Sequence, residues 1–181
     1  MKKTFLILGF FSTINSSYSQ TAPANPYTKL IVKYNEWLEK QYQLGNYVRP
    51  SKCNMNNESA SDGEGISEDI QVYYSDMNND SKIDAVITLS PYLCSGGNAL
   101  MHSQITIIIL TSGSSFYVDD KLIPNLEKNL TSGWYNINGA SYGTIFGNFT
   151  DFSEDDAHCC PSLKKPFQIN YITKKLEYTN Y

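Results

Sequence analysis

Apolar residues between Asn25 and Gly45 recur at intervals of three and four, which is the spacing of one helix face. Asn25 and Pro26 are typical of a helix start, and Gly45 is typical of a helix end. The pattern therefore predicts an amphipathic helix near the N-terminus, packed on a sheet through Trp37 and its apolar neighbours rather than lining a ligand pocket. The apolar positions of this face are Leu30, Ile31, Tyr34, Trp37, Leu38 and Tyr42.

Beyond residue 65 the apolar period changes to two. Apolar and polar residues alternate over 70–74 and 83–89, and the polar stretch between these runs predicts a hairpin. Residues 105–110 are almost continuously apolar and β-branched, which predicts a central strand covered on both faces. Further strands are predicted at 115–118, 134–137, 141–149, 167–173 and 176–178. We therefore expect an α+β fold, in which the helix packs on a curved, mostly antiparallel β-sheet.

The first 19 residues have the features of a signal peptide. Lys2 and Lys3 precede the apolar run of residues 5–11, and the small-residue pattern of residues 17–19 follows. The apolar run is about half the ~20 residues that a membrane-spanning helix needs. We therefore expect cleavage after Ser19 and no membrane span. The remainder, residues 20–181, is then a single domain that is periplasmic or secreted.

The charge balance argues against nucleic acid as a partner. The chain has 14 Lys plus Arg against 18 Asp plus Glu, a formal net charge of −4. Removing Lys2 and Lys3 with the signal peptide leaves 12 basic against 18 acidic side chains, so the mature charge is −6. Nucleic acid binding needs a basic face, and the sequence contains no cluster of Lys and Arg.

Four cysteines occur in the predicted mature part: Cys53, Cys94, Cys159 and Cys160. Cysteines of exported proteins normally pair, because the compartment is oxidising. Adjacent residues close a disulfide only through a strained ring, so we expect Cys159 and Cys160 each to bond to one of the two distant cysteines. The sequence does not decide which pairs with which. Such bridges would staple two earlier loops to the C-terminal third of the chain.

A zinc site is the competing interpretation of this region, because His158 lies beside Cys159 and Cys160 and follows Asp155 and Asp156. Zinc ligands are usually two to four residues apart so that their side chains converge, whereas neighbours in an extended chain point apart. The spacing therefore favours disulfides over zinc. A cysteine nucleophile is disfavoured as well, because catalysis needs a thiolate that a disulfide removes.

The polar turn of the predicted hairpin carries oxygen-bearing side chains at regular intervals. Asp76, Asn78, Asp80 and Asp84 occupy positions 1, 3, 5 and 9, and the carbonyl of Lys82 at position 7 adds a fifth oxygen. Calcium takes six to eight oxygen ligands, so this spacing predicts a calcium loop. The alternative is a bare turn, because Asn and Asp also favour turns and keep a hairpin tip soluble.

This stretch resembles the calcium loop of integrin-like FG-GAP repeats, in which a D-x-[DN]-x-D-G-x-x-D turn joins two strands. The resemblance implies that an apolar strand follows, as Ala85, Val86 and Ile87 do here. Ser81 replaces the usual glycine at position 6, and Ile87 at position 12 excludes the EF-hand form. One copy is present, so a propeller built from such repeats is not expected.

A second resemblance covers more of the chain. The acidic hairpin, residues 94–98 and the late Cys-Cys-Pro-Ser turn of residues 159–162 are similar to those of small bacterial exported proteins, among them the LppP/LprE lipoprotein family. The resemblance implies a compact exported domain and carries no activity across. The lipid-attachment cysteine of that family is missing near Ser19.

The sequence contains two histidines, His102 and His158, and each would serve as a general base only if an acid and a nucleophile converged on it. The acidic run of residues 154–156 is more typical of a solvated loop than of glycosidase carboxylates. We therefore expect a non-catalytic binding domain, stabilised by disulfides and calcium, whose partner is an unknown protein or an envelope component. The alternative is an extracytoplasmic hydrolase of envelope or extracellular polymer that uses His102 or His158.

Overall fold

The computed structural model describes residues 25–53, 63–96, 104–157 and 160–179. The predicted signal peptide, residues 1–19, lies outside this part of the chain. The elements in chain order are helix α1 (Pro26–Leu44), a 3-10 turn (Pro50–Lys52), strands β1 (Glu64–Ser75), β2 (Asp84–Leu93), β3 (Ile105–Ser112) and β4 (Ser115–Asp119), helix α2 (Leu122–Glu127), and strands β5 (Trp134–Ser141), β6 (Thr144–Asp151), β7 (Leu163–Asn170) and β8 (Lys175–Tyr178).

The strands form two antiparallel sheets rather than one. Strands β1 to β4 make sheet A and strands β5 to β8 make sheet B, each with its strands in chain order. The expectation of a single curved sheet is therefore wrong. Antiparallel pairing places each strand beside its predecessor from β1 to β4 and again from β5 to β8. Between these two sets, α2 follows β4 and carries the chain to a second layer. The α+β class stands, with strands predominating.

Helix α1 has defined ends. The Asn25 side chain accepts a hydrogen bond from the backbone N–H of Tyr27 (3.0 Å), and Gly45 ends the helix in the left-handed conformation (φ 74°). Leu30, Tyr34 and Trp37 are buried against sheet A. Burial of an apolar side chain of this size contributes roughly 1.5–3 kcal/mol. The apolar face of α1 is therefore part of the core.

Strands β2 and β3 are buried on both faces. Ile87, Ile107 and Ile109 pack in the core beneath α1, whereas Val86 and Ile108 point the opposite way, towards sheet B. Each of these five side chains is at most 1% exposed. The double burial of β3 confirms the interpretation of its continuous apolar run. The protein thus has three layers: α1, sheet A and sheet B.

The second core lies between the two sheets and includes α2. Leu122 and Ile123 are the buried residues of this helix, and Pro124 lies within it. The helix is only six residues long, so its apolar positions show no helical period in the sequence. The buried members of this core are Met77, Val86, Ile108, Leu122, Ile123, Tyr135, Ile137, Ile145, Phe167, Ile169 and Tyr171.

A disulfide joins Cys53 to Cys94, with their Cα atoms 4.8 Å apart. This corrects the expectation that each would bond to Cys159 or Cys160. Local backbone pairing explains the result: Val48 N donates to the carbonyl of residue 64 (2.8 Å), and Cys94 N donates to the carbonyl of residue 63 (2.9 Å). These bonds bring the segment after α1 beside the end of β2. Cys160 is disulfide-bonded as well, and Cys159 lies outside the described residues.

Peptide mapping without reduction should return one cross-linked pair containing Cys53 and Cys94. The Cys53–Cys94 bond spans 41 residues, for which the chain-entropy relation gives about 4 kcal/mol of stabilisation. The double variant Cys53→Ala/Cys94→Ala should lose about this much free energy of unfolding in urea. A peptide that joins Cys53 or Cys94 to Cys160 would contradict the assignment.

Candidate binding site

The predicted calcium loop and the disulfide lie at opposite ends of the sheets. The turns between β1 and β2, β5 and β6, and β7 and β8 lie at one end, where Tyr142 N donates to Ser75 Oγ (2.7 Å) and Tyr171 N donates to Gly143 O (2.8 Å). The predicted calcium loop belongs to this end. The opposite end carries the Cys53–Cys94 bond and the start of β5.

The acidic loop, residues 76–83, folds around its own side chains. The Asp76 carboxylate accepts hydrogen bonds from the backbone N–H groups of Asp80 (3.1 Å) and Ser81 (2.8 Å). Asn78 Oδ1 also accepts from Asp80 N (3.2 Å), and Asp80 Oδ1 accepts from Lys82 N (3.0 Å). One short stretch of backbone thus brings together three predicted ligands, Asp76, Asn78 and Asp80. Their side-chain oxygens accept hydrogen bonds from its N–H groups.

Ser81 takes the backbone conformation of the glycine that it replaces in the loop pattern. Its φ is 64°, and that of Asn79 is 62°, so both residues are left-handed. Glycine reaches this region without steric cost, whereas serine does not. The loop therefore keeps the turn geometry of the pattern despite the substitution.

Asp84 is separated from the other predicted ligands by burial. Its side chain is 0% exposed; Oδ2 accepts from Met77 N (2.8 Å) and Oδ1 accepts from Thr111 N (2.7 Å). Burial raises the pKa of the Asp84 carboxyl above its ordinary value, although the two backbone hydrogen bonds act to lower it. Asp84 therefore ties the acidic loop to the end of β3. Within the described ranges, no group of three His, Cys, Asp or Glu side chains could hold a metal ion.

The other candidate site residues are only partly placed. His102, His158 and Cys159 lie outside the described residues, so the general base stays an alternative hypothesis and the zinc site stays the disfavoured interpretation. Asp156 Oδ2 accepts from the backbone N–H groups of Ser153 and Ser162, both at 2.7 Å. These bonds lower the pKa of Asp156 to about 2. Asp156 therefore organises the connection between β6 and β7.

A cleft of about 580 Å³ lies where the outer face of sheet B meets the edge of β1. Its chemistry is dominated by carboxamides, and among the described lining residues there is neither a carboxylate nor a histidine. The polar and aromatic lining residues are Gln71, Gln104, Trp134, Asn136, Asn138, Asn148, Thr150 and Lys164. The volume falls within the range of small-molecule sites.

Strand alternation places the β5 residues of the cleft. Tyr135 and Ile137 point into the core, so Trp134 and Asn136 point to the outer face. The register of β5 against β6 shifts between Ile137 and Gly139, which makes residue 138 the extra residue of a bulge. A bulge re-aims a side chain at a strand edge, and here it brings Asn138 into the cleft.

The paired strands extend this outer face. Asn148 on β6 lies opposite Asn136, and Thr150 lies opposite Trp134. Lys164 on β7 lies opposite Thr150. Cβ atoms of directly opposed residues are about 4.5–5.5 Å apart, so these side chains are contiguous on this face, with Thr150 buried among them. The Asn136 amide donates to Thr150 Oγ1 (3.2 Å), which orders part of it.

Gln104 takes the place of a neighbouring strand at the edge of β5. Its Oε1 accepts from Ile137 N (2.6 Å), and its Nε2 donates to Ile137 O (3.3 Å). The two bonds satisfy both backbone groups of Ile137. They also hold the Gln104 side chain in a fixed position beside the cleft.

Close approach of β5 and β6 requires glycine at position 147. A Cβ on Gly147 would lie 1.9 Å from the carbonyl oxygen of Asn136, which is far inside contact distance. The absence of a side chain at Gly147 therefore lets the bulged strand reach the position from which Asn136 and Asn138 line the cleft.

No family model matches the chain, and the comparisons with curated proteins and with solved structures returned no match either. The chemistry of the cleft is therefore the basis for assigning a function.

Replacing Asp84 with alanine should destabilise the protein strongly. The backbone N–H groups of Met77 and Thr111 would lose their acceptor, and a buried unsatisfied group costs about 1–3 kcal/mol. We expect Asp84→Ala to lower the free energy of unfolding in urea by about 3 kcal/mol at neutral pH. Asp80→Ala, in the adjoining acidic loop and partly exposed, is the matched control and should cost less than about 1 kcal/mol.

The loss of unfolding free energy caused by Asp84→Ala should also depend on pH. Because the pKa of Asp84 is raised by folding, its contribution to stability is greatest below the unfolded pKa and falls as pH rises through the folded pKa. The difference between wild type and Asp84→Ala should therefore shrink from pH 4 to pH 7. Equal losses in the Asp84 and Asp80 variants, at every pH, would show that Asp84 does not anchor the loop.

Proposed function

We propose that this chain is a non-catalytic binding domain that acts outside the cytosol and holds a polar ligand in the cleft on sheet B. The observation that carries the proposal is the lining, in which five carboxamides and Trp134 accompany a single charged side chain, Lys164, among the described residues. A carboxamide donates and accepts hydrogen bonds but does not exchange protons near neutral pH. Carboxamides therefore favour hydrogen bonding to a ligand over proton transfer.

Two features support action outside the cytosol. The Cys53–Cys94 disulfide is typical of an oxidising compartment. The signal peptide predicted in residues 1–19 would deliver the protein to the periplasm or the medium. Among the helices in the described part of the chain, none combines the length and the apolar character that crossing a membrane requires.

One observation favours the alternative of an extracytoplasmic hydrolase. A second cleft, of about 380 Å³, contains the carboxylates of Glu64, Asp120 and Glu127, and burial raises the pKa of Glu127 as in a general acid. Two of these carboxylates already have partners. Asp120 Oδ2 accepts from the Trp37 indole (2.9 Å), and Glu127 Oε1 accepts from Tyr135 N (3.0 Å). Because Asp120 and Glu127 already accept structural hydrogen bonds, we favour the binding domain over the hydrolase.

The proposal predicts that the protein cosediments with an insoluble envelope fraction of its source organism through the cleft. The double variant Asn138→Ala/Asn148→Ala removes two carboxamides, each worth about 1 kcal/mol if hydrogen-bonded to the ligand. Retention should therefore fall at least tenfold, since about 1.4 kcal/mol corresponds to a factor of ten. The control is Gln168→Ala, an exposed carboxamide on the neighbouring strand β7 that does not line the cleft.

Circular dichroism and melting should show that both variants fold. Equal retention of the wild type and the double variant would remove the cleft from the proposal. Release of soluble fragments from the envelope fraction by the wild type would support the hydrolase instead.

Calcium binding by the acidic loop stays a prediction. The oxygens that an ion could reach are those of Asp76, Asn78 and Asp80 and the carbonyl of Lys82, because the hydrogen bonds within the loop are exposed to solvent. Asp84 is excluded because it is 0% exposed and both its oxygens accept backbone N–H groups. Few ligands imply weak binding, so the titration should extend to about 10 mM calcium. Binding to the native state stabilises by about 2.7 kcal/mol at a hundredfold excess over Kd.

The melting temperature should accordingly rise with calcium and fall with a chelator. Asp80→Ala should abolish this response, and Asp155→Ala, an exposed acid outside the loop, should retain it. A melting temperature that ignores calcium throughout the titration would leave the self-capped turn as the account of the loop.

A further inference from the structure

The carboxamides of the cleft point to the chemical class of its ligand. Each carboxamide presents two N–H donors and one carbonyl acceptor. A hydroxyl group is likewise a donor and an acceptor, so a row of carboxamides matches a row of hydroxyls without any net charge. An anionic ligand would call for Arg or for several Lys side chains, and a cationic ligand would call for carboxylates. Among the described lining residues only Lys164 is charged.

The spacing of the outer-face side chains suits a ring that carries several hydroxyls. Asn136 and Asn148 are directly opposed on β5 and β6, and the bulge adds Asn138 beside them. Opposed Cβ atoms lie about 4.5–5.5 Å apart, so two such side chains can bond neighbouring groups of one ligand. Gln104, fixed by its two bonds to β5, adds a further carboxamide at the edge.

Trp134 supplies an aromatic surface at the end of this row. Its ring packs against Phe152, with centroids 5.9 Å apart and an interplanar angle of 60°, which restrains its orientation. Aromatic rings bury large apolar area and leave a polar edge for hydrogen bonds. A sugar ring has the complementary form, with an apolar C–H face and a rim of hydroxyls.

A peptide is the other ligand with alternating donors and acceptors, and the structure disfavours it. Extended peptides bind sheets by pairing with a free strand edge. At the cleft, the backbone N–H and C=O of Ile137 on β5 are both bonded to Gln104. The edge is therefore closed to an added strand at the position where a peptide would have to pair.

We infer that the cleft binds a neutral, hydroxyl-rich saccharide; this inference rests on the proposed function and specifies its ligand. Asn148 and Asn138 bond ring hydroxyls, and Trp134 packs against the apolar face of the sugar. A neutral glycan exposed in the envelope or the medium is then the polymer that the domain recognises.

Isothermal titration with single oligosaccharides tests the inference on the full mature protein. The probes are neutral hexasaccharides of glucose, mannose, xylose and N-acetylglucosamine, the charged hexagalacturonate, and an unstructured peptide of similar length. At least one neutral hexasaccharide should bind. Trp134→Ala should weaken that binding at least tenfold and Asn148→Ala about fivefold, while Gln168→Ala should leave it unchanged.

Asn148→Ala keeps the test decisive should the aromatic variant fail to fold. Binding of hexagalacturonate or the peptide alone would overturn the saccharide assignment. If no probe binds while cosedimentation with the envelope still depends on the cleft, the saccharide inference fails and the proposed function stands. If cosedimentation is also independent of the cleft, both fail.

Discussion

The need to cover sheet A on both faces determines the rest of the architecture. Val86 and Ile87 are adjacent on β2 and point to opposite faces, yet neither is exposed, and Ile108 and Ile109 repeat this on β3. An uncovered face of such a sheet would leave branched apolar side chains in water, at a cost of roughly 1.5–3 kcal/mol for each. Helix α1 covers one face and sheet B covers the other, which fixes the order of the three layers.

The position of sheet B explains why the candidate site lies on it. Its inner face is committed to sheet A through Tyr135 and Ile137, so its outer face meets solvent and carries the polar members of the strand alternation. Among the described strands, β5 is the outermost of sheet B, and Gln104 satisfies the backbone groups of Ile137 at that edge. The cleft is therefore a consequence of how two sheets meet at an unpaired edge.

Sequence periodicity predicted those features that depend on neighbouring residues. The hairpin of β1 and β2, the doubly covered β3 and the ends of α1 at Asn25 and Gly45 all follow from local patterns. Local patterns did not predict the division into two sheets or the Cys53–Cys94 bond. Alternation shows that one face of a strand is buried, but it does not show which part of the chain covers that face. The cleft was missed for the same reason. Its residues come from Gln71 to Lys164, and their only local signal was that Asn136 and Asn148 are polar members of predicted strands.

The acidic loop shows why ligand spacing alone does not distinguish an ion site from a turn. Both require oxygens that point into a tight loop, and here the N–H groups of residues 80–82 occupy that interior as a cation would. The discriminating residue is Asp84 at position 9. To reach an ion it would have to release Met77 N and Thr111 N, and each buried group left unsatisfied costs about 1–3 kcal/mol. Releasing Thr111 N would also break the contact between the loop and β3. A calcium ion bound here therefore has to be held without Asp84.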